Sequence, residues 1–160
     1  MKKQKIEIAL EVFESVSELP KSIQELMNKA QQACKNAYAP YSRFRVGAAL
    51  RLASGTIVLG NNQENAAFPS GLCAERVAVF SAGANFPNET ITALAITVQA
   101  ESHEVTEAIA PCGACRQSLA EYEQKQKSPI AIYFRGESGD IIKVASIMDL
   151  LPLGFDAKYL

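Results

Sequence analysis

Residues 91–100 read ITALAITVQA, a mostly apolar, β-branched run without a charge. Such a run fits a central strand of a sheet, since a half-exposed strand alternates apolar with polar residues. A sheet built around it needs helices on both faces, and the flanking sequence alternates strands with helices in the order that supplies them.

Residues 22–38, SIQELMNKAQQACKNAY, place Ile23, Leu26, Met27, Ala30, Ala33 and Ala37 on one helical face. Ser22 and Glu25 have capping-box spacing, and Pro20 suits a helix start. FRVGAALRLASGTIVLG, 44–60, reads as two strands joined at Ser54-Gly55. A helix is expected to begin close to Cys73 and run through AERVAVFSAGA, and another over GACRQSLAEYEQKQ, 113–126, with Leu119 and Tyr122 inward. IAIYFRG and DIIKVA are strands separated only by Glu137, Ser138 and Gly139, hence antiparallel. SIMDLLP is a short helix capped by Ser146 and Asp149 and stopped at Pro152. KIEIALEVF, 5–13, alternates at Ile6, Ile8, Leu10 and Val12, so a half-exposed strand is expected at a sheet edge. The charged stretch 101–108 should bulge out. The expected fold is α/β: a three-layer α/β/α sandwich with a mixed sheet of about five strands, plus the extra N-terminal strand. Residues 1–160 read as one domain, with 1–20 as an N-terminal extension.

The charge balance narrows the ligand. Sixteen basic and seventeen acidic residues nearly cancel, so there is no broad basic field for a nucleic acid, and a small neutral ligand suits the chain better. No apolar run approaches the roughly 20 residues of a membrane helix. Glu7, Glu11 and Glu14 spoil the N-terminus as a signal peptide. A cytoplasmic location is expected, where thiols stay reduced and the four cysteines point to metal or catalysis before disulfides.

Cys73 lies where a loop enters a helix; Cys112 and Cys115 lie where a strand end enters the next. Helix N-termini carry partial positive charge and favour thiolate. Cys112 and Cys115 can grip one ion, with Cys73 as third ligand. Three protein ligands leave one tetrahedral position open, the mark of catalytic zinc, which lowers the pKa of water. Three thiolates leave zinc at a net charge of minus one, which Arg76 and the two helix N-termini can offset. Glu75, two residues from Cys73, is placed to take a proton from water and deliver it to a ring nitrogen and then a leaving amine. That chemistry is hydrolytic deamination, and a Cys₃ site with a nearby non-ligand Glu is the general zinc-deaminase pattern.

YAPYSRFRVGAAL, NNQENAA, CAER, PCGACRQ and LLPLGF together closely resemble the small, homotetrameric cytidine deaminases, from about Ile23 to Phe155. The resemblance implies a bound Zn²⁺ and conversion of cytidine or deoxycytidine to uridine or deoxyuridine in pyrimidine salvage. It implies Cys73, Cys112 and Cys115 as zinc ligands and Glu75 as proton shuttle. Asn62 and Glu64 would hold the ribose hydroxyls, Phe44 would pack on the pyrimidine, and backbone near Ala74 would bind the ring's carbonyl or amide edge. Phe155 would reach a neighbouring subunit's pocket in a homotetramer. Like charge between Glu64 and a sugar phosphate favours nucleosides over nucleotides. The first 20 residues and 101–110 are additions to the family pattern; Phe68 stands where many relatives have Tyr.

Other readings remain at this level. Blasticidin S or another aminopyrimidine nucleoside shares the toolkit. CGAC alone fits a redox pair. Cys34 as a fourth ligand would make a structural, non-catalytic zinc module, although its place beside a buried helix face suits a core residue. His103, the only histidine, sits in AESHEVTE and reads as surface.

Overall fold

The computed structural model describes residues 1–160. In chain order the elements are β1 (Glu11–Phe13), α1 (Lys21–Cys34), β2 (Phe44–Leu52), β3 (Ile57–Asn61), α2 (Ala74–Asn85), β4 (Ile91–Ala100), α3 (Gly113–Gln126), β5 (Ala131–Phe134) and β6 (Ile141–Val144). A 3-10 turn at Ile147–Leu150 follows, with Ser146 and Asp149 forming a capping box. The six strands lie in the order β1-β6-β5-β4-β2-β3. Only β4 and β5 are parallel, as expected of strands joined through the crossover helix α3.

β4 runs through the middle, paired to β2 along nine residues and to β5 on its other side. Its alternate side chains serve two different layers. Leu94 and Ile96 join Ala48, Leu50 and Leu52 of β2 and the inner faces of α2 and α3. Ala93 and Ala95 join Ala49 and the α1 side chains Ile23, Leu26, Met27 and Ala30. One face is thus large and apolar, and takes two helices. The other is lined by alanines, and lets α1 approach closely. Gly47 completes this second face: a Cβ there would overlap the Ala30 carbonyl and the Cys34 amide of α1.

Gly60 plays the same part for α2. A Cβ on it would overlap the Ala74 carbonyl and lie 2.6 Å from the Ala78 amide nitrogen. Both obstacles are helix backbone, so α2 rests directly on β3 at the turn that carries Cys73 and Glu75. Overpacking a filled core costs about 1–3 kcal/mol, and backbone yields less readily than a side chain. Gly60→Ala should therefore lower the melting temperature by roughly 5–10 °C for a chain of this size. It should also lower turnover more than an equally destabilising change in the α1 layer; thermal unfolding beside a kinetic assay checks both.

Several local expectations need correction. The N-terminal strand pairs only over Glu11–Phe13, opposite Ile141–Lys143, because β6 ends at Val144, the position facing Leu10, and residues 1–9 have no strand opposite. The Ser22–Glu25 capping box does not form: Pro20 is the N-cap, and Glu25 Oε2 instead accepts from Arg51 of β2 at 2.8 Å. Ala37 lies beyond the end of α1. Residues 101–108 do not simply bulge out. Val105 is buried, and its carbonyl accepts the Glu137 amide at 2.6 Å, folding the segment onto the β5–β6 connection.

Candidate functional site

The thiols converge because two helices start side by side on one face of the sheet. Cys73 is the N-cap of α2 and Cys112 the N-cap of α3, both in extended backbone conformation. Cys115 sits in the first turn of α3, fully buried; Cys73 is half-buried and Cys112 exposed. The Sγ atoms of Cys73 and Cys112 are 3.8 Å apart, and those of Cys112 and Cys115 3.6 Å. Two thiolates on one tetrahedral zinc, each at about 2.3 Å, lie roughly 3.8 Å from each other. The three sulfurs therefore fit a zinc ion as they stand, and no other His, Cys, Asp or Glu belongs to the group.

Electrostatics supports the donor set. The Cys73 thiol is held well below its ordinary value, first by a hydrogen bond with Cys115, against the cost of burial, with Arg76 and Cys112 adding to it. Cys115 is raised by the same bond and by burial. An Arg76 guanidinium nitrogen lies 3.9 Å from the Cys73 sulfur, where its charge favours the thiolate. Arg76 Nε is buried without a hydrogen-bond partner, and the residue supplies positive charge against the thiols.

Glu75 is 4% exposed and forms no salt bridge. Burial pushes its carboxyl above the usual carboxylate range, and charge on Cys73 pushes it further. Burial thus favours the protonated form of this carboxyl, and a side chain that can both carry and give up a proton is what acid–base exchange needs.

Beside the thiols lies a cleft of about 530 Å³, whose lining includes Tyr41, Ser42, Asn62, Glu64, Phe68, Leu72, Cys73 and Arg76. Its walls are loops sewn together by backbone: Tyr38 N–H donates to the Asn62 carbonyl, Glu64 N–H to Tyr38, and Gln63 and Leu72 exchange a pair of bonds. Glu64 Oε2 accepts the Tyr41 and Ser42 amides at 2.9 and 3.2 Å. Burial raises the Glu64 pKa, but bonds from the Ser42 hydroxyl and these two amides together outweigh it, so the group is held below the usual carboxylate range. Asn62 is occupied differently: Oδ1 accepts Val46 N–H at 2.7 Å and Nδ2 donates to the Phe44 carbonyl at 2.9 Å. One lone pair and one N–H remain for a ligand.

Of the remaining expected site residues, only Ala74 adjoins the thiols. Ala74 is buried as the first residue of α2, where an amide has no partner within the helix. Phe44 is half-buried at the start of β2, outside the cleft lining. Phe155 is 57% exposed, stacked on Tyr159, with its carbonyl accepting Gln117 Nε2 at 3.0 Å; it does not enter its own chain's cleft. Cys34 is a core thiol apart from the trio, pushed up to about 11 by burial despite Arg45. His103 is exposed and bonded to Ser102.

Sequence reasoning passed over Tyr41 and Ser42. They lie in YAPYSRFRVGAAL, quoted above for the resemblance without a role for either residue, yet Tyr41 meets Phe68 edge-on across the cleft, ring centroids 6.0 Å apart. The available signal was the density of aromatic residues around one proline in a short loop.

Comparison with known proteins gives a consistent picture. The family described as "Cytidine and deoxycytidylate deaminase zinc-binding region" matches residues 20–129. A cytidine deaminase of Halalkalibacterium halodurans is 38% identical over 84% of this chain and 95% of its own. One from Sporosarcina psychrophila is 36% identical over 85% and 93%. The crystal structure of a Burkholderia pseudomallei cytidine deaminase superposes with a TM-score of 0.71 and 39% identity, covering 82% of this chain and 97% of that one.

Proposed function

Since the chain belongs to the cytidine and deoxycytidylate deaminase family, we propose that it hydrolyses the C4 amine of cytidine and deoxycytidine, giving the uridine nucleosides and ammonia. The observation that carries this reading is a metal-sized trio of thiols beside a buried carboxyl of raised pKa, at the edge of a nucleoside-sized cleft.

Cys73, Cys112 and Cys115 hold the zinc, which when bound supplies the Lewis acidity that brings the pKa of water toward neutrality. The positive ends of α2 and α3, with Arg76, moderate the charge of the three sulfurs. Glu75, as carboxylate, takes the proton from the attacking water. It passes that proton to ring N3, then takes the second proton from the hydroxyl added at C4 and supplies it to the departing amine, so that the C4–N bond breaks, the C4 carbonyl forms and ammonia leaves. The free N–H of Ala74 suits the ring's C2 carbonyl. The ring of Phe44, two residues from cleft-lining Ser42, serves as a wall for the planar base.

Glu64 is proposed to bind ribose hydroxyls through Oε1, Oε2 being held by the loop, with Asn62 fixing that loop to β2. A hydrogen bond to a charged group is worth about 1.5–3 kcal/mol. Glu64→Ala should therefore lower kcat/KM for cytidine roughly 10- to 100-fold, while the loss for free cytosine stays small. The same carboxylate should exclude cytidine 5′-phosphate. Cytidine, deoxycytidine, the phosphate and blasticidin S offered in competition test the assignment: uridine and deoxyuridine should form fastest, and preferential turnover of blasticidin S would move the substrate to another aminopyrimidine nucleoside.

Phe155, exposed and held by Gln117 of α3, is proposed to reach the cleft of a neighbouring subunit in a homotetramer.

A further inference from the structure

The N-terminal arm has no role in the site, and residues 1–19 precede the family match. β1 is the edge strand of the sheet, paired on one side with β6 and open on the other. Val12 lies opposite Ile142, on the α2–α3 side of the sheet, while its neighbour Phe13 packs on the α1 side. The alternation carries Ile6, Ile8 and Leu10 to the Val12 face, and all four are about half exposed, at 53%, 45%, 51% and 56% for Ile6, Ile8, Leu10 and Val12. An open strand edge with a continuous apolar face is a template for another strand.

We propose that this arm pairs antiparallel with the same arm of a second copy of the chain, about a two-fold axis at Ile8. The charge pattern selects that partner and that register. Ile8 then faces Ile8, Ile6 faces Leu10, Lys5 faces Glu11, and Lys2 faces Glu14, each pair occurring twice. No like charges meet. A shift by one residue sets apolar side chains against charged ones and separates the faces. A shift by two sets Glu7 against Glu7 in one direction and against Glu11 in the other, which disfavours pairing. Within one chain Glu11 already accepts from Lys143 at 2.6 Å, so Lys5 of the second copy completes a carboxylate held between two ammonium groups. The paired arms join two six-stranded sheets edge to edge and remove the open edge of each. This pairing is separate from the Phe155 contact and does not depend on the deaminase reading.

The test is cross-linking of the full chain with Ile8→Cys, which sets two thiols on the proposed axis. Mild oxidation should convert most of it to a covalent dimer, and the parent chain should give none. Adding Lys5→Glu to Ile8→Cys, or Glu11→Lys to Ile8→Cys, should each lower the yield at least tenfold, because like charges then meet. Mixing those two variants should restore it, since every Glu again faces a Lys. Absence of dimer in Ile8→Cys overturns the pairing. Equal yields from all variants, with no gain on mixing, overturn the register and the charge argument with it. Zinc content and deaminase activity should stay at the parent level throughout, which separates failure of this pairing from failure of the site assignment.

Discussion

Glu75→Gln should lower kcat by about 10²- to 10⁴-fold, the range that a positioned general acid–base group supplies, with zinc content unchanged. The amide keeps the size of the side chain and its hydrogen-bonding reach, but it takes no proton from water and gives none to ring or amine. KM should change far less than kcat, because the proposed contacts to cytidine lie on the cleft loops. The variant should also be no less stable than the parent at pH 7. The unfolded chain ionises this carboxyl near pH 4.3; burial raises its pKa in the folded chain. Between those two values the folded state binds more protons, so the parent loses stability as pH rises through that window. Glutamine carries no such cost. Loss of rate without loss of fold separates proton transfer from a structural effect. A variant keeping more than about a tenth of the parent kcat would remove Glu75 from that role.

Cys115→Ser should abolish stoichiometric zinc binding and all measurable turnover. Cys115 is fully buried between the start of α3 and the other two sulfurs, so no solvent-side group can replace it. A hydroxyl does not ionise at neutral pH and binds zinc weakly, leaving a two-thiolate site. Metal that binds only the folded chain stabilises it by mass action, about 4 kcal/mol at a thousandfold excess over Kd. Its loss should therefore lower the melting temperature by roughly 10 °C, and added zinc should not recover it. Cys34→Ser is the matched control: a buried thiol outside the trio, whose replacement should cost some stability and no metal. Parallel metal loss from Cys34→Ser would restore the four-thiolate structural reading.

The parts legible in the sequence were those set by local pattern. β4 announced itself through an uncharged β-branched run, and α3 begins and ends where its sequence suggests, because Cys112 and Gly113 start it after a proline-led loop and Gln126 ends it before Lys127 turns left-handed. The trio of thiols was readable because each cysteine marks a helix start, and helix starts at the same end of a sheet lie close together. What failed depended on partners distant in the chain. Glu25 could have closed a capping box with Ser22, but Arg51, brought alongside by the α1–β2 packing, takes its carboxylate instead. The N-terminal alternation continues to Ile6, yet the paired strand stops at Glu11 because β6 is only four residues long. Val105 lay hidden inside a charged stretch, since its burial comes from the β5–β6 connection folding against it. The cleft walls were the least legible part. Asn62 spends half its hydrogen-bonding capacity on β2 backbone, and Tyr41 and Phe68 meet only after Glu64 has drawn in the amides of Tyr41 and Ser42.

The account rests on three sulfurs that hold zinc with one corner left for water beside Glu75. Zinc analysis and a cytidine-to-uridine assay on one purified sample address this most directly. One zinc per chain should accompany release of uridine and ammonia, with both lost together on chelation and both recovered on adding zinc. Full turnover in the metal-free protein, or one zinc per chain with no conversion of cytidine, would contradict it.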